Sequence, residues 1–187
     1  TINKQMDADK PIFSFALGVP GTAHAKFVCG GTEVEFQLDN VCNPLGDLLH
    51  GMVTLITTPS HLWGEENSCH VVWYSGTDSL NWFLSVDGNQ DLLIKITKSL
   101  GFFEDDEVEL LSFVCPYVEF VQCIVSELDS FVKQTGLLNY AQQWQKNEFP
   151  ITYFLFLKKH LIDNGHWSPE VCKPCDILSD ELLLLLA

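Results

Sequence analysis

Arginine is absent from this chain: all ten basic residues are lysines. Arginine supplies most bidentate contacts to phosphate and guanine. Its absence, in a chain with 25 carboxylates and a formal net charge of −15, argues against nucleic acid as a partner. Lysine is also absent between Lys26 and Lys95, a stretch that carries nine carboxylates. Such a surface repels nucleic acid and membranes and attracts a basic protein partner.

The sequence also lacks a long hydrophobic run and a disulfide pattern. The leucine run at 182–186 is far too short to cross a bilayer. The seven cysteines are an odd number without the spacing of a disulfide framework. Four of them (Cys29, Cys42, Cys115 and Cys123) lie in apolar stretches, where a thiol behaves as a small hydrophobic group. With no signal-peptide pattern at the start, these features predict a cytoplasmic protein in a reducing compartment.

Residues 69–113 predict consecutive antiparallel strands, around which the fold is organised. Every second residue from Leu80 to Val86 is apolar, and turn sequences at 75–78 and 87–90 contain glycine. Period-two alternation between such turns is typical of a meander with one buried face. Trp73 and Trp82 are therefore expected in the core. Further strands are predicted at 13–17, 23–28, 33–38 and 108–114.

Helical spacing of apolar residues occurs before and after the meander. Asn43 and Pro44 have the residue types of an N-cap and a first helical position, and an apolar stripe follows them to residue 56. Later helices are predicted at 116–132, 137–145 and 150–162. We therefore expect one α+β domain over residues 1–187, with a mainly antiparallel twisted sheet of five to seven strands packed against an early helix and C-terminal helices. Residues 1–10 are expected to be a loose N-terminus, and 163–187 an irregular tail with a short apolar end.

Three segments carry a resemblance to a known kind of protein. They are residues 43–49 (Asn-Pro-Leu-Gly-Asp-Leu-Leu), residues 80–84 (Leu-Asn-Trp-Phe-Leu), and Tyr-Ala-Gln-Gln-Trp at 140–144 followed by Asn-Glu-Phe-Pro at 147–150. In this order, over residues 13–162, the chain resembles small acidic bacterial cytosolic proteins. These are similar in type to immunity proteins of contact-dependent inhibition and other polymorphic toxin systems. The resemblance implies a toxin domain as partner and brings no catalytic residue with it.

The strongest candidate for chemistry is Cys172-x-x-Cys175, with His166 six residues before Cys172. Two thiolates at this spacing can hold one side of a zinc site, and Cys69 with His70 could supply the other ligands. The favoured interpretation is a tail with two free thiols. Adjacent residues such as Ser60–His61 and Cys69–His70 face opposite sides of a strand, which weakens a hydrolase hypothesis. Since no G-x-S-x-G, H-E-x-x-H or phosphate-loop motif is present, no catalytic residue and no cofactor are expected.

Carboxylates are concentrated at Glu104, Asp105, Asp106, Glu107 and Glu109. This cluster could be a solvated loop, a calcium site or a contact surface for a basic partner. The spacing of an EF-hand loop is missing, which makes calcium the weakest of the three. Trp63, beside Glu65 and Glu66, is the aromatic residue best suited to anchor an interface. The predicted partner-binding residues are Trp63, Glu65, Glu66, Glu104, Asp105, Asp106 and Glu107.

These observations favour a non-enzymatic binding protein, most plausibly an immunity protein that covers the positive active site of a basic, nuclease-type toxin. Acidic side chains would speed association, and a few buried anchors would slow release. Two alternatives stay open at this point. One is a zinc- or thiol-dependent enzyme that uses the C-terminal cysteines. The other is a structural or regulatory subunit whose acidic surface only keeps it in solution.

Overall fold

The computed structural model describes residues 10–57, 67–101, 107–168 and 177–186. Within these residues the chain forms seven strands and five helices. The strands are β1 (Ile12–Leu17), β2 (Thr22–Cys29), β3 (Thr32–Asp39), β4 (Asn67–Ser75), β5 (Asp78–Val86), β6 (Asp91–Ser99) and β7 (Glu107–Pro116). The helices are α1 (Pro44–Thr57), α2 (Tyr117–Thr135), α3 (Leu137–Trp144), α4 (Ile151–Asp163) and α5 (Ile177–Leu183).

The strands form two antiparallel sheets, each built from neighbours in the sequence. The first has the order β1-β2-β3 and the second the order β4-β5-β6-β7. The predicted α+β class, with an early helix and C-terminal helices, is confirmed. The seven strands divide into two sheets at α1, the helix that separates β3 from β4 in the sequence. The hairpin turn between β2 and β3 consists of Gly30 and Gly31, and both glycines have positive φ angles, which glycine adopts without steric cost.

The buried faces of both sheets and one face of α2 share a core. Phe27 of β2 packs edge-to-face against Trp82 of β5 and Phe120 of α2, with ring centroids 5.4 and 5.9 Å apart. Trp73 and Trp82 are almost completely buried, as predicted. Aromatic pairs in this geometry add to the hydrophobic free energy that holds the layers together.

Helix α1 is fixed in place by three hydrogen bonds. Asn43 accepts the backbone N–H of Gly46 on Oδ1 at 3.3 Å, so it caps the helix as its sequence predicts. Two backbone carbonyls of α1 accept the other two bonds. Trp73 Nε1 of β4 donates to the carbonyl of Pro44 at 2.9 Å, and the hydroxyl of Tyr117 donates to the carbonyl of Met52 at 2.7 Å. The bonds from Trp73 and Tyr117 hold α1 against β4 and the start of α2.

The C-terminal region differs from its prediction. Residues 177–183, expected to be irregular, form α5, which contacts α2 and α3. Glu181 accepts the backbone N–H groups of Leu137 and Leu138, the first two residues of α3. The leucines at 182–186 remain exposed instead of packing on a sheet. In the described part of the chain, no helix has the length and hydrophobicity needed to cross a membrane.

Candidate functional site

Most of the predicted partner-binding residues lie outside the described residues. Trp63, Glu65 and Glu66 belong to segment 58–66, which joins α1 to β4. Glu104, Asp105 and Asp106 belong to segment 102–106, which joins β6 to β7. The structure therefore locates only the residues at the two ends of each segment.

The two acidic segments leave the four-stranded sheet at opposite ends. Asn67, which follows the first segment, pairs with Val86 of β5. Glu107, which follows the second, pairs with Ser99, and Ser99 pairs with Ser79 of β5. Ser79 and Val86 are seven positions apart, a distance of roughly 23 Å along a strand. The fold does not bring the attachment points of the two segments together.

Glu107 is the one predicted partner-binding residue that the structure describes. It is exposed at the start of β7 and accepts a hydrogen bond from the hydroxyl of Thr97. Thr97 is a polar residue buried to 2% exposure, so this bond satisfies a hydroxyl that the sheet removes from water. The carboxylate of Glu107 thus has a structural role in addition to its charge.

The structure contradicts one part of the zinc hypothesis. Cys69 faces α1, where a Cβ on Gly51 would lie 2.9 Å from its Sγ. His70 lies on the opposite face of β4, where its ring stacks on Phe83 with centroids 4.3 Å apart. Adjacent strand residues point to opposite faces, so this pair cannot ligate one metal ion together. His166 is exposed, and Cys172 and Cys175 lie outside the described residues. Within the described ranges no group of three or more His, Cys, Asp or Glu residues could hold a metal ion.

Four of the five described thiols are poor nucleophiles and poor metal ligands because they are partly or fully buried. Burial raises the pKa of Cys69 to about 11 and those of Cys115 and Cys123 to about 12. It also raises the pKa of Cys42. The thiolate is the form that attacks carbon and binds metal, and at neutral pH these four groups are protonated.

A groove of about 490 Å³ lies between α1 and the edge strand β4; we call it the α1–β4 groove. Its α1 side carries Asp47, His50 and Thr54, and its β4 side consists of residues 69–72 and Tyr74. Partial burial raises the pKa of Asp47. On the β4 side, His70 Nε2 is 3.1 Å from Asn81 Oδ1, which together with the Phe83 stack fixes the imidazole.

A second groove, of about 580 Å³, lies on the other side of α1, against the α3–α4 connection. Asn43, Lys146, Glu148 and Tyr153 contribute to its lining. The ring of His50 on α1 stacks on the ring of Tyr153 on α4, with centroids 5.2 Å apart. Helix α1 is therefore a ridge between two grooves, each with an aromatic ring and an imidazole at its border. Exposed aromatic rings around concave surfaces are typical of protein interfaces.

Sequence reasoning did not find the α1–β4 groove, although one signal was available. In a meander whose strands pair in sequence order, the first strand lies at an edge, and β4 directly follows a helix that has to pack nearby. Nothing in the sequence shows how far the helix stands from that edge. Comparison of the chain with protein-family models, with curated proteins and with solved structures gave no match.

Proposed function

We propose that this chain is a non-enzymatic cytoplasmic protein that binds a basic protein partner, as an immunity protein binds its toxin. The expected partner is a toxin domain of the nuclease type, whose positive active site the acidic chain covers. The main support for this proposal is the distribution of charge, and in particular the pairing of the lysines with carboxylates.

Most of the described lysines lie beside a carboxylate. The described residues hold sixteen carboxylates and eight lysines. Six of the eight lysines lie within 4 Å of a carboxylate oxygen: Lys26, Lys95, Lys98, Lys133, Lys158 and Lys159. Ion pairs of this kind leave little positive potential at the surface, and the excess of carboxylates remains to attract a partner.

The state of the cysteines supports binding over thiol chemistry. The four described thiols whose pKa is raised stay protonated at neutral pH. Elemental analysis of the purified chain separates the proposal from the zinc alternative built on Cys172, Cys175 and His166. We expect less than about a tenth of an equivalent of zinc, whereas a tetrahedral site would hold a full equivalent.

Capture of the partner tests the proposal directly. The tagged chain is incubated with lysate of its native cells at low salt, and co-purifying proteins are identified by mass spectrometry. We expect one basic protein that is released at about 0.5 M salt, where exposed charges are screened. The variant E65Q/E66Q should capture less of it. The control E33Q/E35Q removes two carboxylates that Lys26 already pairs, at 2.6 and 3.6 Å, and should capture it as well as the wild type.

Failure of this capture has a defined meaning. If no basic protein is retained at low salt, with and without added metal and reductant, the proposal is wrong. A retained neutral or acidic protein, unaffected by salt, would instead favour the structural or regulatory subunit, since steering by charge would then have no part in binding.

A further inference from the structure

Strand β4 has one edge that faces away from its own sheet. It pairs with β5 on one side only, in a regular register from Asn67 to Ser75. The backbone N–H of Tyr74 donates to Cys42 Sγ at 3.5 Å, so this residue points away from β5. In an antiparallel ladder, residues two apart share the same direction. Ser68, His70 and Val72 therefore present their N–H and C=O groups to the outer edge as well.

These three residues form the β4 edge, and two of them, His70 and Val72, line the α1–β4 groove. No described residue bonds to the backbone N–H groups of Ser68, His70 or Val72. Ser68 and His70 are exposed, and Val72 is half-buried. A row of unpaired backbone groups at a sheet edge is a template for another extended segment.

The edges of β1 and β7 are less suited to such pairing. On β1, Glu127 of α2 accepts the backbone N–H of Phe15 at 3.2 Å, so a side chain already occupies that edge. The β7 edge is interrupted by a register shift opposite Ile96 and Thr97. Such bulges twist an edge and obstruct pairing. The part of β4 before Tyr74 has neither feature.

The charged residues that line the α1–β4 groove indicate which kind of peptide segment would bind there. The described lining of the groove includes the carboxylate of Asp47 and no lysine. A segment alongside β4 would thus meet the carboxylate of Asp47 near its side chains, which favours lysine or arginine and disfavours acidic residues.

We propose that an extended, basic segment of a protein partner binds in the α1–β4 groove as an added strand along Ser68, His70 and Val72. Backbone hydrogen bonds to the β4 edge supply affinity, and a basic side chain near Asp47 supplies selectivity. This inference rests on the proposed function for the identity of the partner. The edge itself can be tested without knowing that partner.

The first experiment uses a defined probe, an acetylated and amidated hexapeptide of alternating lysine and valine. It is titrated into the full chain, and backbone amide signals are followed by NMR. We expect shifts at Ser68, His70 and Val72. The same peptide with alternate amides N-methylated, and a glutamate–valine peptide, should each bind at least about tenfold more weakly, because one lacks the donors and the other has the wrong charge.

Variants of the protein give a second, matched test. His70→Pro removes an outward N–H and leaves the bonds to β5 intact, since this residue pairs with Phe83 at a non-hydrogen-bonded position. His70→Ala removes the same side chain and keeps the N–H. The proline variant should lose at least about tenfold in affinity for the lysine–valine peptide, and the alanine variant less than about threefold. If His70→Pro does not fold, the N-methylated peptide tests the reciprocal bonds, which run from the peptide N–H groups to the β4 carbonyls, on the wild-type chain.

Four results would overturn the inference. The first is a lysine–valine peptide that leaves the three edge amides unshifted, and the second is equally tight binding of the N-methylated peptide. Slow hydrogen exchange at these amides in the free protein would show that another part of the same chain occupies the edge. Concentration-dependent shifts there without peptide would show that a second copy occupies it.

The inference and the proposed function can fail separately. If a basic partner is captured and binds His70→Pro as tightly as the wild type, the added strand is wrong and the proposed function stands. If the peptide binds at the β4 edge and no basic partner is captured from lysate, the edge is a binding site and the proposed function is wrong.

Discussion

Asp129 of α2 and Lys158 of α4 form an ion pair across the interface of the two helices. Lys133 donates to the other oxygen of the same carboxylate at 2.7 Å. Asp129 is only 8% exposed, and the side chain of Lys158 is 20% exposed. The carboxylate of Asp129 therefore pairs with two lysines at a largely buried position. Its ion pair with Lys158 links α4 to α2.

We predict that Asp129→Asn lowers the free energy of unfolding by about 2 kcal/mol, because Lys133 and Lys158 both lose the carboxylate that they share. Urea denaturation followed by tryptophan fluorescence measures the change. The control is Asp163→Asn, which breaks the ion pair with Lys159 on the exposed side of α4. That pair is more than half exposed on both sides, so the control should change stability by no more than about 0.5 kcal/mol. Equal effects of the two substitutions would contradict this account.

The close contact between Gly51 of α1 and strand β4 predicts that a larger residue at position 51 destabilises the protein. An added Cβ would lie 2.9 Å from Cys69 Sγ and 3.2 Å from Val71 Cγ2. Gly51→Ala should therefore destabilise the protein by about 1 kcal/mol, although alanine is the better helix former. In the double variant with Cys69→Ala the sulfur is gone, and at least about 0.5 kcal/mol should be recovered as coupling between the sites. If the changes in the free energy of unfolding of the two single variants simply add in the double variant, residues 51 and 69 are not in steric conflict.

Stability should fall at high pH. The pKa of Cys69 is about 11 in the folded protein, and those of Cys115 and Cys123 are about 12, all raised from 9.0 by burial. Above pH 9 these thiols ionise in the unfolded chain first, so the unfolded state binds fewer protons than the folded one. Stability is then full below pH 9 and decreases as the pH rises towards 11–12, by at most about 1.4 kcal/mol per pH unit for each thiol.

Two measurements check this pH dependence. Denaturation curves at pH 8, 9 and 10 give the slope, and Cys123→Ala should reduce it. Alkylation at pH 8 gives the reactivity, in a Cys172→Ser/Cys175→Ser background that leaves the five described thiols. We expect Cys69, Cys115 and Cys123 to react at least about tenfold more slowly in the folded than in the unfolded protein. Fast labelling of these three in the native state would contradict the burial that raises their pKa.

The association rate with the captured partner should depend on salt. Since the described carboxylates outnumber the lysines two to one, long-range attraction should accelerate the encounter. We predict that the association rate constant falls about tenfold or more between 20 and 300 mM salt, while the dissociation rate changes less. Stopped-flow fluorescence measures both. A rate constant that is indifferent to ionic strength would show that the charge does not guide binding.

Local features of the fold could be predicted from the sequence because short-range rules govern them. The Asn43 cap, the Gly30–Gly31 turn and the burial of Trp82 all follow from residue type and spacing. The division of the strands into two sheets could not be predicted, since period-two patterning shows which face is buried and not which strand is the neighbour. Helix α5 was missed because its seven residues are too few for a helical period to stand out, and the leucines that follow it carry none.

The candidate site was less predictable than the fold. Charge patterning pointed to segments 58–66 and 102–106, but their attachment points at Asn67 and Glu107 lie at opposite ends of one sheet. The groove beside β4 depends on the distance of α1 from an edge strand, which is set by tertiary contacts such as Gly51 against Cys69. The backbone N–H and C=O groups at an unpaired sheet edge have no sequence motif, because every residue except proline has both groups.

The bond from Glu181 to the start of α3 has a consequence for synthesis on the ribosome. Gly136, the residue before α3, has no side chain to cap it, and the acceptor for the first two N–H groups of α3 comes from a residue 43 or more positions later. While the chain emerges, α2 and both sheets can pack before that carboxylate exists. Until residue 181 has left the exit tunnel, water has to satisfy these two N–H groups, so the start of α3 gains its final hydrogen bonds late in synthesis.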